Sequence, residues 1–196
     1  MRTFFSVVRE FPTRYPFEIT MTWTPEGQLE MWKGDQEECA YPNWYLGQKD
    51  RVIAHTHPGE GNMPPSGRDL INSGDAIEGQ EHWVLTAQGV WRYHPAPALL
   101  ETVRSVTTER NRWEQVILHN AARLGLAPTT DCYKGLIPLQ SGARVGWEVS
   151  FHSWETENEG QWPRLVHIDT FTSQLQGIDK WPIHGLGFTT SLQSAR

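Results

Sequence analysis

Cysteine is scarce in this chain: two residues in 196, Cys39 and Cys132, too few for a disulfide framework or a four-thiolate zinc site. The glycosylation pattern Asn-x-Ser/Thr occurs nowhere, a further sign against secretion. Long apolar runs are missing too. Nothing approaches the roughly 20 residues that cross a bilayer, and the patch Phe4 to Val8 is cut off by Arg9 and Glu10, too short for a secretory core. Cations are in deficit, with 17 Lys plus Arg against 23 Asp plus Glu and a net charge of −6, which argues against a nucleic-acid surface or an anionic membrane as partner. These absences predict reduced thiols and a soluble, cytoplasmic protein. The abundant feature is tryptophan, ten residues from Trp23 to Trp181, whose spread suits packing better than a single binding stripe.

The punctuation divides the chain near residue 97. Glu18 to Thr24 and Gln28 to Lys33 alternate around Pro25-Glu26-Gly27, which predicts a hairpin. Arg51 to His57 reads as a short strand ended by Pro58, and 58 to 65 as a Gly/Pro-rich loop. Ser66-Gly67-Arg68-Asp69 has the spacing of a capping box and predicts a helix to about Ile77. His82 to Thr86 and Val90 to Tyr93 read as two further strands. Beyond them, Leu99, Val103, Val106, Trp113, Ile117 and Leu124 keep helical spacing, with Gly125 as the stop. Val145 to Phe151 and Val166 to Thr170 alternate, which predicts a second hairpin around the acidic loop 155 to 163. The expected fold class is therefore α/β, with residues 1–97 as one unit and 98–196 as a helix-plus-hairpin extension.

The chemistry concentrates at His55, His57 and Asp69. Two histidines two apart on a strand leave by the same face, and Asp69 follows twelve residues later in the first turn of a helix. Two imidazoles and one carboxylate make three ligands and leave a fourth position for water, the open coordination of a catalytic zinc site. Zinc brings the pKa of a bound water to roughly 7 and polarises a carbonyl. Hydrolysis then needs a carboxylate that is not a ligand to carry the proton. Glu18 is the first candidate; Glu30, on the return strand, is second and Glu26, in the turn, third. Ser66 has a hydroxyl able to donate to a developing oxyanion.

Glu18, His55-Thr56-His57-Pro58 and Ser66-Gly67-Arg68-Asp69 together resemble the signature of the JAMM (MPN-plus) metalloproteases, an upstream Glu followed by HxHP and SxxD. The resemblance covers roughly residues 10 to 95 and points to a prokaryotic or phage-type branch. The spacer before Ser66 is one residue longer than the family usually shows. The resemblance implies a central mixed sheet flanked by helices, zinc on His55, His57 and Asp69, Glu18 as base and Ser66 as oxyanion donor. It also implies hydrolysis of peptide or isopeptide bonds after ubiquitin-like or sulfur-carrier modifiers. The modifier's extended tail would lie along a sheet edge or a groove near the 58 to 65 loop.

Two other functions compete. One is a non-catalytic MPN-type module that binds a ubiquitin-like or assembly partner. The other is a cysteine hydrolase of the phage-tail type built on Cys132 with His152 or His167. A facial iron triad on His167, Asp169 and His184 is disfavoured, because strand alternation explains that pair equally well.

Overall fold

A computed structural model describes residues 3–23, 26–39, 52–73, 80–96, 137–138 and 144–193. Two short helices open the chain, α1 (Phe4–Val8) and α2 (Phe11–Arg14), followed by β1 (Ile19–Trp23), β2 (Gln28–Lys33), β3 (Val52–Thr56), α3 (Gly67–Ser73), β4 (His82–Leu85) and β5 (Gly89–Pro95). A two-residue pair, β6 (Ile137–Pro138) and β7 (Arg144–Val145), precedes β8 (Trp147–Ser153), β9 (Arg164–Leu165), α4 (Ile168–Leu175) and β10 (Gly185–Gln193). Eight strands form one mixed sheet in the order β8-β5-β4-β3-β1-β2-β10-β9, in which β3 and β4 are parallel. Strands from both sides of residue 97 share it, and β3 lies inside it, paired on both flanks.

Strand alternation gives the sheet two unlike faces. The register Met21↔Ala54, Ala54↔Trp83 and Leu85↔Val90 carries one apolar row, continued by Met31 and Phe188. That row packs with Phe4, Phe5, Val7, Val8 and Phe11 from the N-terminal helices and with Phe171 and Leu175 of α4. Aromatic rings there meet edge to face, Trp162 against both Phe5 and Trp83 at 5.4 and 5.0 Å. Tryptophan is packing material here, as its spread in the sequence suggested.

The opposite face carries Thr20, Trp32, Ile53, His55, His82 and Trp91. Part of it is covered by α3, whose Leu70 is fully buried and whose Ser73 hydroxyl accepts the Trp147 indole N–H at 2.8 Å. Helices therefore lie on both sides of the sheet, and the two histidines open on the α3 side.

The first hairpin, the His55 strand, the start of α3 and the strands from His82 and Val90 occur where the residues place them. The N-terminal helix begins at Phe4 and a second follows at Phe11. The second hairpin does not form. Val149 and Phe151 do alternate, but their partners are Tyr93 and Trp91 on β5. Residues 168–175 are helical, because Phe171 and Leu175 bury one stripe at spacing four. Five residues of β-like alternation from Val166 to Thr170 are too short a pattern to prevail over that spacing. The predicted helix from 98 to 124, the end of the α3 helix from 74 to 77, and Cys132 lie outside the described residues.

Candidate metal centre

The site is assembled by the carboxyl end of β3 and the first turn of α3. Ala54 and Thr56 point to the buried core and His55 and His57 to the other face, as alternation requires. The Thr56 hydroxyl accepts the Ile19 N–H at 2.9 Å, and the His57 N–H donates to the Leu85 carbonyl at 2.9 Å, which ties this strand end to both neighbours. Across the Gly/Pro loop, Ser66 and Asp69 form a reciprocal cap: the Ser66 N–H donates to Asp69 Oδ2 at 2.6 Å and the Asp69 N–H to Ser66 Oγ at 3.1 Å. The cap fixes the Asp69 carboxylate against both rings and leaves the Ser66 hydroxyl proton outside that bond.

Three donor groups converge. His55 Nε2 lies 3.2 Å from His57 Nε2 and 3.2 Å from Asp69 Oδ1, and His57 Nε2 lies 3.4 Å from Asp69 Oδ2. A tetrahedral cation with bonds of about 2.0–2.1 Å sets its ligand atoms about 3.3 Å apart, close to the separation of the two imidazole nitrogens and to that of each nitrogen from its nearer Asp69 oxygen. The tautomer matches as well. His57 Nδ1 faces the Met63 carbonyl at 3.2 Å, and a carbonyl only accepts, so Nδ1 carries a proton and Nε2 is the nitrogen left to bind a cation. The donor set fits a divalent ion on residues His55, His57 and Asp69.

Electrostatics concentrate on the same groups. Burial alone would raise the Asp69 carboxyl, but His55 and His57 hold it well below the usual carboxylate range. Burial alone would lower His55, but the Asp69 carboxylate beside it raises it. Glu18 is buried, and burial raises its pKa; His55 and His57 offset this in part, which places the carboxyl within their field. Its backbone is clamped by two bonds, Glu18 N–H to the Asp35 carbonyl at 2.7 Å and Gly34 N–H to the Glu18 carbonyl at 2.8 Å.

Strand register separates the candidate bases. Thr20 stands opposite His55, so two residues further along Glu18 comes level with His57. Glu30 stands opposite Thr22 and so comes level with Ile53, on the strand beyond β1, and Glu26 lies in the turn at the other end of the hairpin. Glu18 is the carboxylate that the hairpin delivers to the site.

Other singled-out residues are not brought together. His167 is the N-cap of α4 and Asp169 lies in its first turn, while His184 pairs with Asp35 at 3.3 Å. Asp35, Glu38 and His184 do converge, but Glu38 is also engaged by Arg68 on the solvent side. Cys39 is a half-buried thiol whose pKa burial pushes up to about 11, an inert state rather than a nucleophile. Three contributors escape sequence reasoning: Thr56, the Met63 carbonyl, and His82, a buried ring on the same sheet face. Thr56 had a signal in its place between the two histidines, whereas a backbone carbonyl has none. Comparison of the chain with protein-family models, with curated proteins and with solved structures gives no match.

Proposed function

We propose that this chain is a zinc-dependent peptidase or isopeptidase of the JAMM type, acting after the tail of a ubiquitin-like or sulfur-carrier modifier. The observation that carries the reading is the set of three donor groups, His55, His57 and Asp69, with atoms 3.2–3.4 Å apart, and a buried Glu18 carboxyl that feels the two histidines and is not one of the three. Bound zinc would supply a water acidified to roughly pKa 7 and a polarised carbonyl.

The protein's own groups do the rest. Glu18, raised by burial, takes the proton that water loses as its oxygen bonds to the carbonyl carbon, and returns it to the nitrogen as the carbon–nitrogen bond breaks. Ser66 donates its hydroxyl proton to the oxyanion. Because β3 is paired on both sides, the modifier's tail would reach the site past the 58 to 65 loop rather than by pairing with β3.

The test is a pair of variants assayed on modifier conjugates. Glu18→Gln should retain one zinc per chain and lose turnover by a factor of about 10² to 10⁴. His55→Ala should lose the metal itself. Undiminished turnover in Glu18→Gln would remove the base assignment, and a zinc-loaded wild type that binds conjugates without cleaving them would make the chain a binding module.

A further inference from the structure

We propose that Asn62 is a positioning residue for the metal centre: through the Met63 carbonyl it locks the tautomer and orientation of His57. The assignment rests on the metal-site reading above and concerns a residue that touches none of the three ligands directly.

The loop between β3 and α3 reads Pro58-Gly59-Glu60-Gly61-Asn62-Met63-Pro64-Pro65. Its two ends differ in stiffness. Gly59 adopts φ +121°, a conformation that favours glycine, and a Cβ at Gly59 would meet nothing within 4 Å. Pro64 and Pro65, by contrast, fix their own φ and hold Met63 to extended backbone. The loop is thus glycine-rich before Asn62 and stiffened by proline after it, and whatever fixes Asn62 helps to fix the Met63 carbonyl.

Asn62 is fixed from the sheet. Its Oδ1 accepts the indole N–H of Trp91 at 2.8 Å, and the Thr86 hydroxyl lies 3.3 Å from the same oxygen. Trp91 is fully buried and cannot follow a moving loop, and Thr86 is held in the β4–β5 turn by its bonds with Gly89. The anchor therefore runs from Trp91 to Asn62 Oδ1, along one peptide unit to the Met63 carbonyl, and on to His57 Nδ1. A backbone tie from the Gly59 N–H to the Pro12 carbonyl at 2.8 Å holds the loop before Asn62 and does not reach the Met63 carbonyl.

The chemical consequence is specific. If the Met63 carbonyl drifts, the His57 proton can move to Nε2, the atom that must be bare to bind a cation. Partners one shell out from a metal ligand change affinity by about 10- to 100-fold. Asn62→Ala should weaken zinc binding, measured by chelator competition, by about that factor. Ring nitrogen shifts of His57 in zinc-free protein should change from the Nδ1–H pattern toward a mixture. Asn62→Asp keeps an acceptor oxygen at the same reach and should restore both readouts. Trp91→Phe removes the indole N–H and leaves Asn62 in place; it should shift both in the direction of Asn62→Ala, and serves if that variant fails to fold.

Wild-type zinc affinity and an unchanged His57 pattern in Asn62→Ala would overturn the assignment. So would an Asn62→Asp variant as impaired as Asn62→Ala. A wild type that binds zinc with the expected affinity but cleaves nothing would sink the peptidase reading and leave Asn62's role intact, so the two failures are distinguishable.

Discussion

His82 shows at the scale of one residue what a buried imidazole costs the fold. It is 3% exposed, its Nε2 has no hydrogen-bond partner among the described residues, and burial together with nearby His55 pushes its pKa down to about 3. The native state therefore refuses a proton that the unfolded chain takes up below about pH 6.5. Stability contributed by neutral His82 is present above that value and is lost as pH falls from about 6.5 toward 3, on the order of several kcal/mol across the window. His82→Leu should flatten the acid limb of the stability curve; denaturant midpoints at pH 7 and pH 4.5 that shift equally in wild type and variant would refute this. Asp69 and His55 act in their own windows. The depressed carboxyl of Asp69 stabilises above its unfolded value and is lost only well into acid, whereas the raised His55 contributes below about pH 6.5 and is lost as pH climbs through its folded value. Residue chemistry was the most legible level in the sequence. The patterns HxHP and SxxD name their residues outright, because alternation on a strand and a cap on a helix are local rules. His82 was not legible, since its role comes from a parallel neighbour that sets it opposite Ile53, two residues before His55.

Single hydrogen bonds hold the elements around the site in register. Thr56 points into the core between the two histidines, and its hydroxyl supplies the acceptor for the Ile19 N–H, one residue from Glu18. Thr56→Val keeps the shape and leaves a buried donor unsatisfied, at a cost of about 1–3 kcal/mol. Urea unfolding should show a lower midpoint with an unchanged slope; a variant as stable as wild type would mean that the Ile19 N–H finds another acceptor. Elements were legible where one local period ran without interruption, as in the first hairpin. They failed where two periods overlapped, as from Val166 to Thr170, and where a strand is interrupted. In β10 the register slips between Leu186 and Phe188, and Gly187 leaves room for the Trp181 ring, so alternation breaks where a strand reader would need it.

Across the whole molecule, the site sits in the middle of the sheet while strands from distant parts of the chain flank it. β8 closes one edge on β5, and β10 pairs with β2 although more than 150 residues separate parts of the two strands. Pairings of such sequence separation leave no local trace, which is why the sheet order was not readable while its central hairpin was. Among the described residues no helix is long and apolar enough to cross a membrane. What unites the molecule functionally is the convergence of β3 and α3 on one point, and a zinc-edge X-ray absorption spectrum of the loaded protein examines that point directly. The account predicts two imidazole nitrogens at about 2.0–2.1 Å, a carboxylate oxygen at about 2.0–2.2 Å and no sulfur shell, all lost together in Asp69→Ala. Sulfur at about 2.3 Å, or a wild-type protein that retains no zinc after dialysis, would contradict it.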